Sequence, residues 1–214
     1  MSTFFPIILS APSGGGKTTI ARALLARRPD LGYSVSCTTR SPRPGEIDGR
    51  DYYFITRTEF IAERERDAFA ESAVVHGNLY GNLRREVDRV LGDNKHVVMD
   101  IDVQGSAQFV RAFPQSVAIF ILPPTADVLL ERLRARKTES PAQLAARLQS
   151  ALQELQSVDT YEYVVVNDDL ERAVNSVGSI IDAETVSRER VKNLRQQVGQ
   201  LIERLELEIE NTTP

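Results

Sequence analysis

One cysteine, Cys37, stands among 214 residues, so no internal disulfide and no cysteine-built zinc site can form, and a reducing, cytoplasmic setting is expected. Histidine is nearly as scarce: His76 and His96 are the only two, and both are expected to be structural or surface residues rather than catalysts. No apolar run is long enough to cross a membrane; Phe4–Leu9 is too short and has neither a basic lead-in nor a cleavage site. Basic residues are not in excess. Lys+Arg number 26 against 30 Asp+Glu, a net charge of −4, which argues against a general nucleic-acid binder but leaves room for a local basic site. Internal repeats and low-complexity segments are absent. What remains is 42% hydrophobic and 26% charged residues, over a length that suits one α/β domain with a sizeable core.

The densest chemical information lies in Ala11-Pro12-Ser13-Gly14-Gly15-Gly16-Lys17-Thr18, with Thr19 next. An apolar run, Ile7-Ile8-Leu9, precedes it and a helical pattern from Ile20 to Leu25 follows. Strand, glycine-rich turn and helix start, in that order, make a phosphate cradle: N–H groups at the helix N-terminus point at the anion and the helix dipole favours its charge. Lys17 is placed to reach the outer phosphates, and the Thr18 hydroxyl to hold Mg2+. Ala11 stands where the G-x-x-x-x-G-K-[ST] pattern has its first glycine; it is the smallest side chain that can replace glycine there. A flexible turn ahead of an ordinary helix would account for the glycines, but not for a strand and a helix on the required sides.

Strand and helix signals alternate along the chain. Strands are expected at Ile7–Ser10, Ser34–Thr38, Tyr52–Ile55, Ala70–Val75, Val97–Asp102, Val117–Leu122 and Tyr163–Val166. Helices are expected from Thr18 to about Arg27, from Glu59 to about Arg66 behind a Thr58 cap, and from Ala126 to about Arg136 behind Thr125. A further helix opens at Ser140-Pro141 and runs to about Gln156, and another follows Asn167-Asp168-Asp169. Near-continuous apolar strands separated by helices predict a parallel sheet covered on both faces. Residues 34–82 read as an inserted, β-rich lobe. Asp100 and Asp102 are expected to end a buried strand on one face, where such sheets bind ligands.

The inserted stretch reads Ser36-Cys37-Thr38-Thr39-Arg40-Ser41-Pro42-Arg43-Pro44-Gly45-Glu46, then Gly49-Arg50-Asp51-Tyr52-Tyr53-Phe54. With Glu71, Gly77-Asn78-Leu79-Tyr80-Gly81, Asp100-Ile101-Asp102-Val103-Gln104-Gly105 and Val166-Asn167-Asp168-Asp169, it resembles guanylate kinase, which moves the γ-phosphoryl group of ATP onto GMP. The resemblance runs from the phosphate loop to about Asp168. It implies a P-loop NTPase type of α/β fold over residues 1–185, with a GMP-binding lobe at about 34–82 and a helical lid at about 125–150. It also implies ATP and GMP (with dGMP) as substrates and Mg2+ as the metal.

Guanidinium forks at Arg40 and Arg43, on a proline-held loop, match phosphate oxygens bidentately. The resemblance adds Tyr52 and Tyr80 on the same phosphate, Ser36 and Glu71 as guanine readers, and Asp102 on the GMP side. A carboxylate can accept from guanine N1–H and N2–H2, a donor pair that adenine lacks. Asn82 occupies a position near the base where the family usually carries a small hydroxyl residue, and the resemblance implies a GMP contact there, since an amide can still donate to and accept from guanine. Asp100 resembles the acid that holds Mg2+ with Thr18. Arg132, Arg136 and Arg147 resemble lid arginines that close on the transferring group, and Lys137 sits where the family often has glycine. Asn167 is expected beside the adenine of ATP. Two other readings keep parts of this pattern: a kinase for another phosphorylated acceptor, which the Ser36, Tyr52, Glu71 and Tyr80 set disfavours, and a phosphopeptide-binding module, which the intact Gly16-Lys17-Thr18 disfavours.

Residues 186–214 differ in character. Val191, Leu194, Val198, Leu201, Leu205 and Ile209 recur at spacings of three and four, with charges between them. They predict an amphipathic helix that either packs back on the domain or pairs with a second copy.

Overall fold

A computed structural model describes residues 3–75, 77–134 and 141–212, with Pro141 described by its backbone alone. His76, Arg136, Lys137 and Ser140 lie outside the described residues. In chain order the elements are β1 (Pro6–Ser10), α1 (Lys17–Arg27), β2 (Leu31–Tyr33), β3 (Cys37–Thr38), β4 (Tyr53–Phe54), α2 (Arg57–Glu65), β5 (Phe69–Val75), β6 (Asn78–Leu83) and α3 (Arg84–Gly92). They continue with β7 (His96–Asp100), α4 (Val103–Ala112), β8 (Val117–Leu122), α5 (Ala126–Arg134), α6 (Pro141–Leu155), β9 (Tyr163–Val166), α7 (Leu170–Thr185) and α8 (Leu194–Thr212).

The described chain forms two compact units, Phe4–Gly178 and residues 179–212 with Thr3. In the larger unit, five strands in the order β2-β7-β1-β8-β9 form an all-parallel sheet. β1 lies between β7 and β8 and is buried at every residue, as a near-continuous apolar strand covered on both faces must be. Ile8, Val97, Met99 and Phe109 pack in one cluster with Val87 and Val90 of α3. Burial of each such side chain contributes about 1.5–3 kcal/mol. His96 belongs to this frame: its Nδ1 accepts from Phe5 N at 3.3 Å and its ring meets Phe4 and Phe5 edge-on.

A second sheet, β4-β3-β6-β5, makes the lobe. β5 and β6 are an antiparallel hairpin, and β3 pairs antiparallel with β6 and parallel with β4. It has its own small core of Cys37, Phe60, Phe69, Leu79 and Leu83, with the Phe60 and Phe69 rings stacked at 4.3 Å.

Several local expectations are corrected. α2 is capped by Thr56, not Thr58: Thr56 Oγ1 accepts from Glu59 N while the Glu59 carboxylate takes Thr56 N–H, a reciprocal pair that Thr58 has no acid to form. β7 stops at Asp100, and Asp102 is the N-cap of α4, its Oδ1 accepting from Gly105 N at 2.8 Å. Asp100 and Asp102 therefore do not share a strand face. The extended stretch 34–38 divides: β2 ends at Tyr33, and only Cys37–Thr38 rejoin a sheet. α3 and α4 were not legible as separate elements, because charged residues crowd α3 and a cap aspartate reads as a strand end. Of 186–214, helix α8 covers Leu194–Thr212, while Val186, Ser187 and Arg190 lie in turns.

Candidate active site

The parallel strands deliver their C-terminal ends to one edge: Ser10 leads into the glycine loop, Asp100 closes β7, and Asn167 follows β9. The loop ends at Gly16, the N-cap of α1, at φ +94°, a conformation that a side chain disfavours. Neither a capping side chain nor an acid occupies the first turn of α1, so its N–H groups and dipole face the loop uncompensated. Lys17 has no hydrogen-bond or ion-pair partner among the described residues. Ala11 is buried under the loop. Asn167 turns its Nδ2 to Gly15 O at 2.9 Å and so braces the loop. Beside it, Gly14, Gly16, Thr19, Arg132 and Leu170 line a cavity of about 340 Å³.

Thr18 Oγ1 donates to Asp100 Oδ2 at 2.5 Å, which brings together the two residues expected to hold a metal. Their oxygen-only donors suit Mg2+, a hard cation that usually takes its remaining ligands from water and phosphate. Among the described residues no cluster of three or more acids, histidines or cysteines could hold a metal alone. The other Asp100 oxygen accepts from Tyr33 OH at 2.6 Å, a residue that sequence reasoning missed. Burial, reinforced by the Asp100 charge, pushes the Tyr33 phenol well above its ordinary range.

On α5, Arg132 donates from Nη2 to Asn167 O at 3.2 Å, and its buried Nη1 has no partner among the described residues. Arg147 is not poised in an open lid. It is buried, with Nη1 on Leu133 O at 2.9 Å and Nε on Ser13 Oγ at 3.2 Å. Glu154, also on α6, takes Ser13 N–H at 2.7 Å, so two α6 side chains already hold the loop. Arg136 lies outside the described residues.

The lobe assembles a buried polar chain. Asn82 is fully buried; its Nδ2 donates to Glu71 Oε1 at 2.7 Å, and its Oδ1 accepts from Ser36 Oγ at 3.0 Å and Ser34 Oγ at 3.3 Å. Ser36 and Glu71 are thus joined through Asn82, a buried link between them. Burial raises the Glu71 carboxyl to about 7; the Asn82 amide opposes the shift and the Asp102 charge adds to it. Gly105 makes the close packing possible: a Cβ there would stand 2.5 Å from Glu71 Oε2.

Arg40 is fully engaged. Both Nη atoms meet the Glu46 carboxylate at 2.9 Å, Nη1 also donates to Ser41 O, and Nε donates to Tyr80 OH at 3.2 Å. Glu46 also accepts from Arg43 N at 2.7 Å, and these bonds hold its carboxyl below the ordinary range. The Arg43 guanidinium has no hydrogen-bond or ion-pair partner among the described residues, though its charge helps to hold Glu46 ionised. Arg40 also lies over the Tyr52 ring at 5.4 Å. Tyr52 meets Tyr80 edge-on, and burial pushes its phenol up to about 12, with the Asp100 charge second. One crevice of about 880 Å³ joins Thr18, Tyr33 and Asp100 to Arg43, Glu46 and Tyr52. Glu46 has only a faint sequence signal, a carboxylate after Pro44-Gly45; Tyr33 and Glu154 have none.

The guanylate kinase family profile matches residues 4–184. A guanylate kinase of Carboxydothermus hydrogenoformans is 41% identical over 198 residues, 92% of this chain and 97% of its own length. One from Thermotoga maritima is 44% identical over 202 residues, 94% of each chain. The crystal structure of guanylate kinase from Anaplasma phagocytophilum superposes with a TM-score of 0.76 at 34% identity, covering 92% of this chain and 94% of that one.

Proposed function

Because the chain belongs to the guanylate kinase family, we propose that it transfers the γ-phosphoryl group of ATP to GMP and dGMP, forming the diphosphates in purine nucleotide metabolism. The observation that carries this reading is the single crevice whose one wall bears Thr18 and Asp100 beside the glycine loop and whose other wall bears Arg43 and Tyr52.

Residues 11–19 cradle the triphosphate, Lys17 reaches its outer phosphates, and adenine lies near Asn167. Arg40, Arg43, Tyr52 and Tyr80 hold the acceptor phosphate; Ser36 and Glu71, linked by Asn82, read guanine, with Asp102 alongside. The acceptor phosphate is largely ionised at neutral pH, so the reaction needs no general base. The work of the chain is alignment and charge neutralisation, with Arg132, Arg136 and Arg147 on the donor side excluding water. Thr18 and Asp100 would hold Mg2+ together with ATP, and the ion would offset phosphate charge. The catalytic region is residues 1–185, with lobe 34–82 and lid 125–150.

The setting proposed is cytoplasmic, without nucleic-acid or membrane partners; no helix among the described residues is long and apolar enough to cross a membrane. Helix α8 exposes Val198, Leu201, Ile202 and Leu205, an apolar stripe suited to pairing with a second copy.

A coupled assay of ADP release with GMP, AMP, CMP and UMP tests the main reading. Turnover restricted to GMP supports it, and equal rates with AMP and GMP overturn the guanine assignment.

A further inference from the structure

Tyr33 has no role in the reading above, yet its geometry is specific. It ends β2, the edge strand, in parallel register with Val98, two residues before Asp100 on the neighbouring strand. From there its hydroxyl passes over the strand end to Asp100 Oδ1 at 2.6 Å. The second oxygen, Oδ2, is taken by Thr18 Oγ1. Two hydroxyls from separate elements therefore hold the two oxygens of one carboxylate, and the carboxylate torsion is fixed from both ends. An ionised carboxylate offers roughly four lone-pair sites, so these two bonds still leave one on each oxygen.

We propose that Tyr33 is a positioning residue for the divalent cation: its hydroxyl locks Asp100 in the rotamer in which Asp100 and Thr18 face the cation together. This rests on the assignment of Thr18 and Asp100 as the cation-holding pair. Partners of this kind orient ligands to metals, and losing one commonly lowers metal affinity by about 10- to 100-fold. With the hydroxyl removed, Asp100 keeps one tether and must be ordered again at each binding event. Tyr33 faces the same crevice as Arg43 and Tyr52 but donates to neither, so acceptor binding is not expected to depend on it.

The test is Tyr33→Phe in the full chain, which keeps the ring and its packing. Mn2+ serves as the probe, its binding to the protein–ADP complex followed by electron paramagnetic resonance. Affinity for Mn2+ should fall about 10-fold. The Mg2+ concentration for half-maximal turnover should rise in parallel, while KM for GMP and kcat at saturating Mg2+ stay within about twofold of the parent. In an Asp100→Asn background, Tyr33→Phe should add nothing further, since its effect passes through that carboxylate. Unchanged Mn2+ affinity in Tyr33→Phe alongside a clear loss in Asp100→Asn would overturn the role of Tyr33 alone. Unchanged affinity in both variants would remove the cation assignment itself, and Tyr33 with it.

Discussion

The donor and acceptor sides of the proposed site are prepared for their ligands in different ways. The donor side presents groups that are open among the described residues: Lys17, an uncompensated helix start, and a buried Arg132 Nη1. On the acceptor side the Arg43 guanidinium is open among the described residues, but Glu46 already sits in the Arg40 fork, and Asn82 lies between Glu71 and two serines. Open donors suit a ligand that brings several negative charges. Internal pairing suits a site that must hold long side chains in one geometry for a smaller ligand, because ordering them in advance lowers the cost of binding.

The largest expected effect breaks the open side. Lys17→Ala should lower turnover by at least about 10²- to 10³-fold while KM for GMP stays near the parent value; steady-state kinetics varying each nucleotide separately checks this, and equal losses for both nucleotides contradict it.

Next comes the buried reader. Glu71→Gln should lower kcat/KM for GMP by about 10- to 100-fold with ATP little affected, as for loss of a charged hydrogen-bond partner. The raised carboxyl adds a pH signature. Glu71 titrates near 7, above its ordinary 4.5, and guanine needs the ionised form, so kcat/KM for GMP should climb through about pH 7 in the parent and lie flat in the variant. The sign for stability is opposite. The protonated form that folding favours is complete below about 4.5 and lost through about 7, so the Tm of Glu71→Gln should gain on the parent as pH rises over that window.

A smaller effect tests whether pairing on the acceptor side prepares or obstructs. Glu46 ties Arg40 to the backbone of Arg43. Glu46→Gln should loosen both and raise KM for GMP by about threefold to fivefold, the worth of a modest ion pair. A lower KM would show the Glu46 carboxylate to be a competitor of the incoming phosphate. The smallest effect on catalysis is expected from helix α8. The double variant Leu201→Glu, Leu205→Glu alters two side chains exposed by 65% and 63% and should leave kcat unchanged while reducing the mass seen by light scattering to that of one chain.

The same contrast governs what was legible in the sequence. The donor loop is contiguous, its chemistry is carried by residues 11–18, and a strand and helix flank it as local patterns require. Arg40, Tyr52, Glu71 and Tyr80 could be named through resemblance, but not their partners. Tyr33 meets Asp100 across 67 residues of chain, and Glu154 meets Ser13 across 141, joined only by strand order and helix packing. Asp102 was misplaced because an apolar strand followed by acids has the same pattern whether the second acid ends a strand or caps a helix. Arg147 carried a lid signal, yet its guanidinium is buried on the loop side, which spacing alone does not encode.

The close approach of Gly105 to Glu71 has a consequence for how related chains can diverge. The first turn of α4 forms a wall behind the Glu71 carboxylate, and its bare main chain at Gly105 sets how deep an acid can seat there. Shortening Glu71 to aspartate would open a void against that wall, while adding a methyl at 105 would expel the longer acid. Positions 71 and 105 are therefore expected to be exchanged together in descendants that acquire a new base preference, even though one lies on strand β5 and the other on helix α4.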